Sequence, residues 1–159
     1  MKKGLLAILT TGIGVAGGTI LSGQLSKKTI AKKEEKIDKF KNYYTVLNQW
    51  LINKNEGKNL DTYFIKNGYK TIAIYGMGEM GNRFYEEMQK SKEVKVAYAI
   101  DKNAGAVYSD LEVYDLDDNL EAVDAVIVTA TFAYEDIAAK LEEVIDFKVI
   151  SLEDVVFEV

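Results

Sequence analysis

The chain has 159 residues, 48% of them hydrophobic, enough for one ordinary core with an appendage rather than for two domains. It contains no cysteine and no histidine, which excludes disulfides, thiolate metal sites, thiol nucleophiles and the commonest general base. The net charge of -5 is unevenly divided: residues 1–54 carry ten lysines against Glu34, Glu35 and Asp38, a balance of +7, and the remainder carries -12. So acidic a globular part repels a phosphate backbone and argues against nucleic acid as a partner, whereas a basic arm suits an anionic membrane surface.

Residues 1–26 read as a hydrophobic leader. Residues 4–23 hold no charge and lie between Lys2-Lys3 and Lys27-Lys28. As a helix they span about 30 Å, roughly one hydrocarbon core, and are predicted to anchor the protein in a membrane. Thr10, Gly14, Gly18 and Ser22 recur at every fourth position, a stripe of small residues that lets two membrane helices approach closely. The alternatives are a cleaved signal peptide, with Lys2-Lys3, the apolar run from Leu5 and Ala16-Gly17-Gly18 as its three regions, and a soluble glycine-rich leader. Lys27, Lys28, Lys32, Lys33 and Lys36 outnumber Lys2 and Lys3, so an uncleaved anchor leaves the rest of the chain facing the cytoplasm.

Residues 27–58 read as a basic amphipathic helix. Ile30, Ile37, Tyr44 and Leu51 stand seven apart with Phe40 and Leu47 between them, a short heptad seam that favours a homodimer through the N-terminal half. The competing reading is a helix whose distal half, with Trp50 and Leu51, packs on its own domain. A second short helix is predicted over residues 60–66, with Asn59 before it and Gly68 after it as caps.

Residues 59–159 are predicted to form an α/β domain, a Rossmann-like three-layer parallel sheet. Residues 71–75 make a short apolar strand, and the turn Gly76-Met77-Gly78-Glu79-Met80-Gly81 leads directly from it into a helix running to about Lys90. In such a unit Gly76 permits the sharp turn, Gly78 lets the backbone approach a pyrophosphate, and Gly81 lets helix and strand lie close together. The free N–H groups and positive dipole of the helix start then face the phosphates, and no basic side chain is needed. Glu79 is expected to point away from them.

A second apolar strand over residues 94–100 ends at Asp101, 20 residues past the last glycine, where a carboxylate accepts hydrogen bonds from the adenosine ribose and favours NAD over NADP. Lys102 beside it weakens that preference. After a weaker strand over residues 106–114, a buried strand over residues 125–130 ends in Thr129-Ala130-Thr131, expected to line the far side of the cleft at the carboxyl ends of the strands. A helix follows over residues 134–144. Tyr98 and Lys102 copy the spacing of a dehydrogenase proton-donor pair, but that pair needs a helix, and here the tyrosine lies on a strand. Asp115, Asp117, Asp118 and Glu121 read as a solvated loop capping a short helix, and no metal is assigned.

Through residues 72–83, Ile-Ala-Ile-Tyr-Gly-Met-Gly-Glu-Met-Gly-Asn-Arg, and residues 98–103, Tyr-Ala-Ile-Asp-Lys-Asn, the chain resembles the Rossmann-like nucleotide-binding domains found beside bacterial capsule and nucleotide-sugar enzymes. Residues 149–155 fit the same pattern, and the resemblance covers residues 60–159. The glycine turn and the Ile-Asp-Lys ending also look like the NAD-binding subunits that regulate potassium uptake. The first resemblance implies sugar metabolism and the second ligand sensing. NAD is the expected cofactor, with NADP, coenzyme A and a nucleotide-sugar as the other pyrophosphate ligands such a turn accepts. Full-length enzymes of this kind carry a substrate domain after the core, and none follows here before Val159. The expected function is therefore nucleotide binding by a membrane-associated regulatory or accessory module. The alternatives are an oxidoreductase or epimerase completed by a partner chain, and a membrane scaffold.

Overall fold

The computed structural model describes residues 3–106 and 109–159, with side chains from residue 29 onward. It divides into two units, Met1–Lys41 and Asn42–Val159. The first unit belongs to helix α1 (Lys3–Asn55), which includes both predicted N-terminal helices. Within it Ile30, Ile37 and Phe40 are exposed. The proposed anchor over residues 4–23 and the stripe of Thr10, Gly14, Gly18 and Ser22 lie outside the residues whose side chains are described. Among the described residues no helix is long and apolar enough to cross a membrane.

The second unit is an α/β domain around a five-stranded, all-parallel sheet. Its strands are β1 (Thr71–Tyr75), β2 (Lys95–Ile100), β3 (Val113–Tyr114), β4 (Ala125–Val128) and β5 (Lys148–Ser151), arranged in the order β3-β2-β1-β4-β5. That order is consistent with a Rossmann-like doubly wound sheet, whose strand order reverses beside β1 and leaves a crevice above the carboxyl ends of β1 and β4. Side chains alternate along each strand, and both sheet faces are covered, so the strands read as continuous apolar runs. Ile72, Ile74, Ala125, Ile127 and Ile150 join one core, whereas Ala73, Tyr98, Ile100, Val126 and Val128 join the other.

Helices α2 (Asp61–Lys66), α3 (Glu79–Met88) and α5 (Leu152–Phe157), with the distal part of α1, supply side chains to the first core, and α4 (Tyr134–Glu142) supplies the second. Phe64 and Phe84 are fully buried there, their ring centroids 6.0 Å apart. The distal part of α1 has two apolar faces. Val46, Trp50 and Asn53 are buried, whereas Tyr44, Leu47 and Leu51 are exposed, so Trp50 packs on the domain and Leu51 does not.

A single carboxylate fastens this segment to α3. Glu87 accepts hydrogen bonds from the Trp50 indole at 2.7 Å and the Leu60 amide at 3.0 Å, and it pairs with Lys54 at 3.1 Å. Hydrogen bonds to a charged group contribute about 1.5–3 kcal/mol each. Asn53 donates to the Val156 carbonyl at 2.6 Å, joining α1 to α5.

Several boundaries differ from the sequence expectation. The weak strand over residues 106–114 shrinks to Val113 and Tyr114, preceded by a 3-10 turn over Ala104–Ala106. The Asn59 side chain does not cap α2; Leu60 is its N-cap residue, and the Leu60 N–H is taken by Glu87. Gly68 does close that helix region, with φ of +75°. Strand β5 and helix α5 are additional elements. Ser151 caps α5 by accepting from the Glu153 N–H.

Candidate functional site

The glycine turn occupies the crevice beside β1. Gly76 has φ of +93°, a backbone conformation that disfavours any side chain, and this sharp turn carries the chain from β1 to α3. At Gly81 a Cβ would lie 2.1 Å from the Gly76 carbonyl oxygen, so only glycine lets α3 start this close to the end of β1. Gly78 differs from both. It is exposed, its φ of -73° is ordinary, and a Cβ there would meet nothing within 4 Å. It is also the N-cap residue of α3, and no side chain caps that helix start. The first N–H groups and the positive end of the helix dipole therefore lie beside space that no protein atom fills around Gly78.

The residues between the glycines divide by burial. Met77 and Met80 point into the core, while Glu79 in the first turn of α3 is exposed. Asp101 stands beside the turn at the end of β2. Its Oδ2 accepts from the Met77 N–H at 2.9 Å, and its Oδ1 accepts from the Asn103 N–H at 2.9 Å. The carboxylate thus holds the second residue of the turn and remains partly open to solvent, while Lys102 is exposed in the following loop. Burial pushes the Tyr75 hydroxyl up from its ordinary value, and the charges of Asp101 and Asp115 add to the effect.

Thr129, Ala130 and Thr131 follow β4 directly. Thr129 is buried, and its hydroxyl donates to the Gly76 carbonyl at 2.6 Å, so it braces the glycine turn from beneath. Ala130 is partly buried. Thr131 is buried too, and its hydroxyl donates to the Asn42 side-chain oxygen on α1.

Asn42 also donates to Glu153 at 3.0 Å, and the adjacent Tyr43 stacks edge-on against Phe132 with centroids 5.6 Å apart. Burial raises the Tyr43 pKa, with a smaller contribution from Glu79. Asn42 and Tyr43 therefore belong to the rim of the site, and no local sequence pattern marks them. Beyond them a cavity of about 340 Å³ opens over the ends of β4 and β5, among Thr131, Tyr134, Asp136, Ser151, Glu153 and Asp154.

Tyr98 and Lys102 do not form a proton-donor pair. Tyr98 is buried on β2, its hydroxyl donates to the Glu121 carbonyl at 2.7 Å, and burial pushes its pKa up to about 12. The acidic loop caps no helix, contrary to the sequence expectation: residues 115–124 run as turns and coil, and the Asp115 N–H donates to the Asp118 carboxylate at 2.8 Å.

No protein-family model, curated protein or solved structure matches the chain. Its own geometry must therefore carry any functional reading.

Asp101 can be separated into its two roles. In Asp101→Asn an amide oxygen still accepts from Met77 while the charge is lost. If the turn holds NAD with its ribose at Asp101, the variant is expected to bind NAD about 10- to 100-fold more weakly, as a charged hydrogen-bond acceptor is removed, and to gain in preference for NADP. Titration calorimetry with both dinucleotides measures it, and an unmoved NAD to NADP ratio removes Asp101 from the ribose site.

Proposed function

We propose that the domain binds the pyrophosphate of a nucleotide, NAD first among the candidates, on the turn from Gly76 to Gly81, and that it works as a regulatory or accessory binding module. The observation that carries this reading is the contrast among the three glycines. Two are required by the backbone itself, while Gly78 has no internal reason to lack a side chain and borders the uncapped start of α3. A bare backbone beside free N–H groups, at the reversal point of a parallel sheet, is what a closely approaching phosphate needs.

In this reading Asp101, partly open to solvent, accepts from the ribose hydroxyls on the β2 side, and the ligand extends toward β4. The carboxylates around the cavity at β4 and β5 disfavour a phosphate there, which supports the glycine turn over that cavity. A binding role is favoured over hydride transfer because Tyr98, the one tyrosine spaced like a proton donor, is buried and held by a carbonyl.

Native mass spectrometry of the purified protein, followed by titration with NAD, NADP, coenzyme A and a uridine diphosphate sugar, tests the reading. One nucleotide per chain is expected, bound in competition with the others. If none of the four binds, the site is not a nucleotide site.

A further inference from the structure

We infer that the face of α1 bearing Ile30, Ile37 and Phe40 lies on an anionic lipid surface. These three side chains are 54%, 51% and 69% exposed, a high value for large apolar groups, and none of the described side chains over residues 29–41 is buried. At about 100° per residue they form one stripe, with Lys33 inside it and Lys36 and Lys41 bordering it on opposite sides. Of the carboxylates only Glu34 comes near its border; Asp38 and Glu35 are turned further away, and Asp38 pairs with Lys41 at 3.7 Å. Apolar groups edged by lysines are what a helix needs to lie in a membrane interface, where lysine stems cover hydrocarbon and the ammonium groups reach lipid phosphates.

The same pattern works against a second copy of the helix. Facing two such stripes together sets Lys33, Lys36 and Lys41 of one chain against those of the other, and like charges at the flanks of a helical seam oppose pairing. An anionic surface satisfies both the apolar stripe and its lysines.

The chain has no cysteine, so Ile37→Cys in the full-length protein accepts a single polarity-sensitive fluorophore. The label reads the polarity around residue 37, in the middle of the stripe. With vesicles of phosphatidylcholine and phosphatidylglycerol in equal parts its emission is expected to shift to the blue, and with phosphatidylcholine alone to change little. Replacing Lys33, Lys36 and Lys41 together by glutamine is expected to raise the lipid concentration at half-shift by about 100-fold, roughly fivefold per lysine. Circular dichroism checks that the triple variant keeps its helix.

Equal shifts on neutral and anionic vesicles, or no loss in the triple variant, overturn the proposal. So does a label already blue-shifted without lipid in a sample that sediments as a dimer, which would give the face to a second copy.

Discussion

Replacing Gly78 by valine is expected to leave the domain folded and to weaken nucleotide binding by about 100-fold or more. The backbone there is already in a conformation valine adopts, with φ of -73° and ψ of -166°, and the new side chain enters space that no protein atom occupies. Valine is a poorer helix N-cap than glycine, so stability should fall by about 1 kcal/mol at most. The branched side chain would stand between the phosphates and the N–H groups of α3. Losing one or two hydrogen bonds to a charged ligand, at about 1.5–3 kcal/mol each, accounts for the expected factor. Thermal melting and calorimetric titration on the same sample separate the two quantities. A variant that melts like the wild type and binds equally well would remove the glycine turn from the site.

Replacing Gly81 by alanine should have the opposite signature. Its Cβ would fall 2.1 Å from the Gly76 carbonyl oxygen and 3.1 Å from the carbonyl carbon, and both are backbone atoms held by the end of β1. The same carbonyl accepts the Thr129 hydroxyl, so it cannot move without breaking that bond as well. Helix α3 must shift by about 1 Å, at a cost of about 3 kcal/mol, the upper part of the range for overpacking a tight contact. The melting temperature should then drop by roughly 10 °C. Binding would fall too, but as a consequence of lost structure. Wild-type melting of this variant would mean that the helix can leave the strand freely, and the packing role of Gly81 would be wrong. One glycine is thus expected to govern affinity and the other stability, three positions apart in the same turn.

These two positions also show what a sequence makes legible. The spacing of Gly76, Gly78 and Gly81 records a local constraint, because the turn and the helix start are neighbours in the chain, and the strand before them is an unbroken apolar run. Strands β1, β2 and β4 were readable for the same reason. Strand β3 was legible only as a longer, weaker run over residues 106–114, since Val113 and Tyr114 are strand by pairing with Ala99 and Ile100. Strand β5 has four residues and begins with an exposed lysine, so its register against β4 defines it rather than its composition.

At the site, Asp101 was legible by its distance from the glycines, but its bond to the Met77 N–H was not. Thr129 was placed by sequence at the end of its strand, and only the fold reveals that its hydroxyl turns back onto Gly76. Asn42 and Tyr43 meet Thr131 and Phe132 across about ninety residues, a separation no local pattern encodes.

The seat of Glu87 has a mechanical consequence. Helix α3 begins at the glycine turn and ends, less than three turns later, at a carboxylate that grips Trp50 and Lys54 of α1 and the amide before α2. Between those ends the helix is held along its length, with Met80, Phe84 and Met88 buried in the first core. Displacing the distal part of α1 would therefore strain α3 at its C-terminal end and across that shared core together.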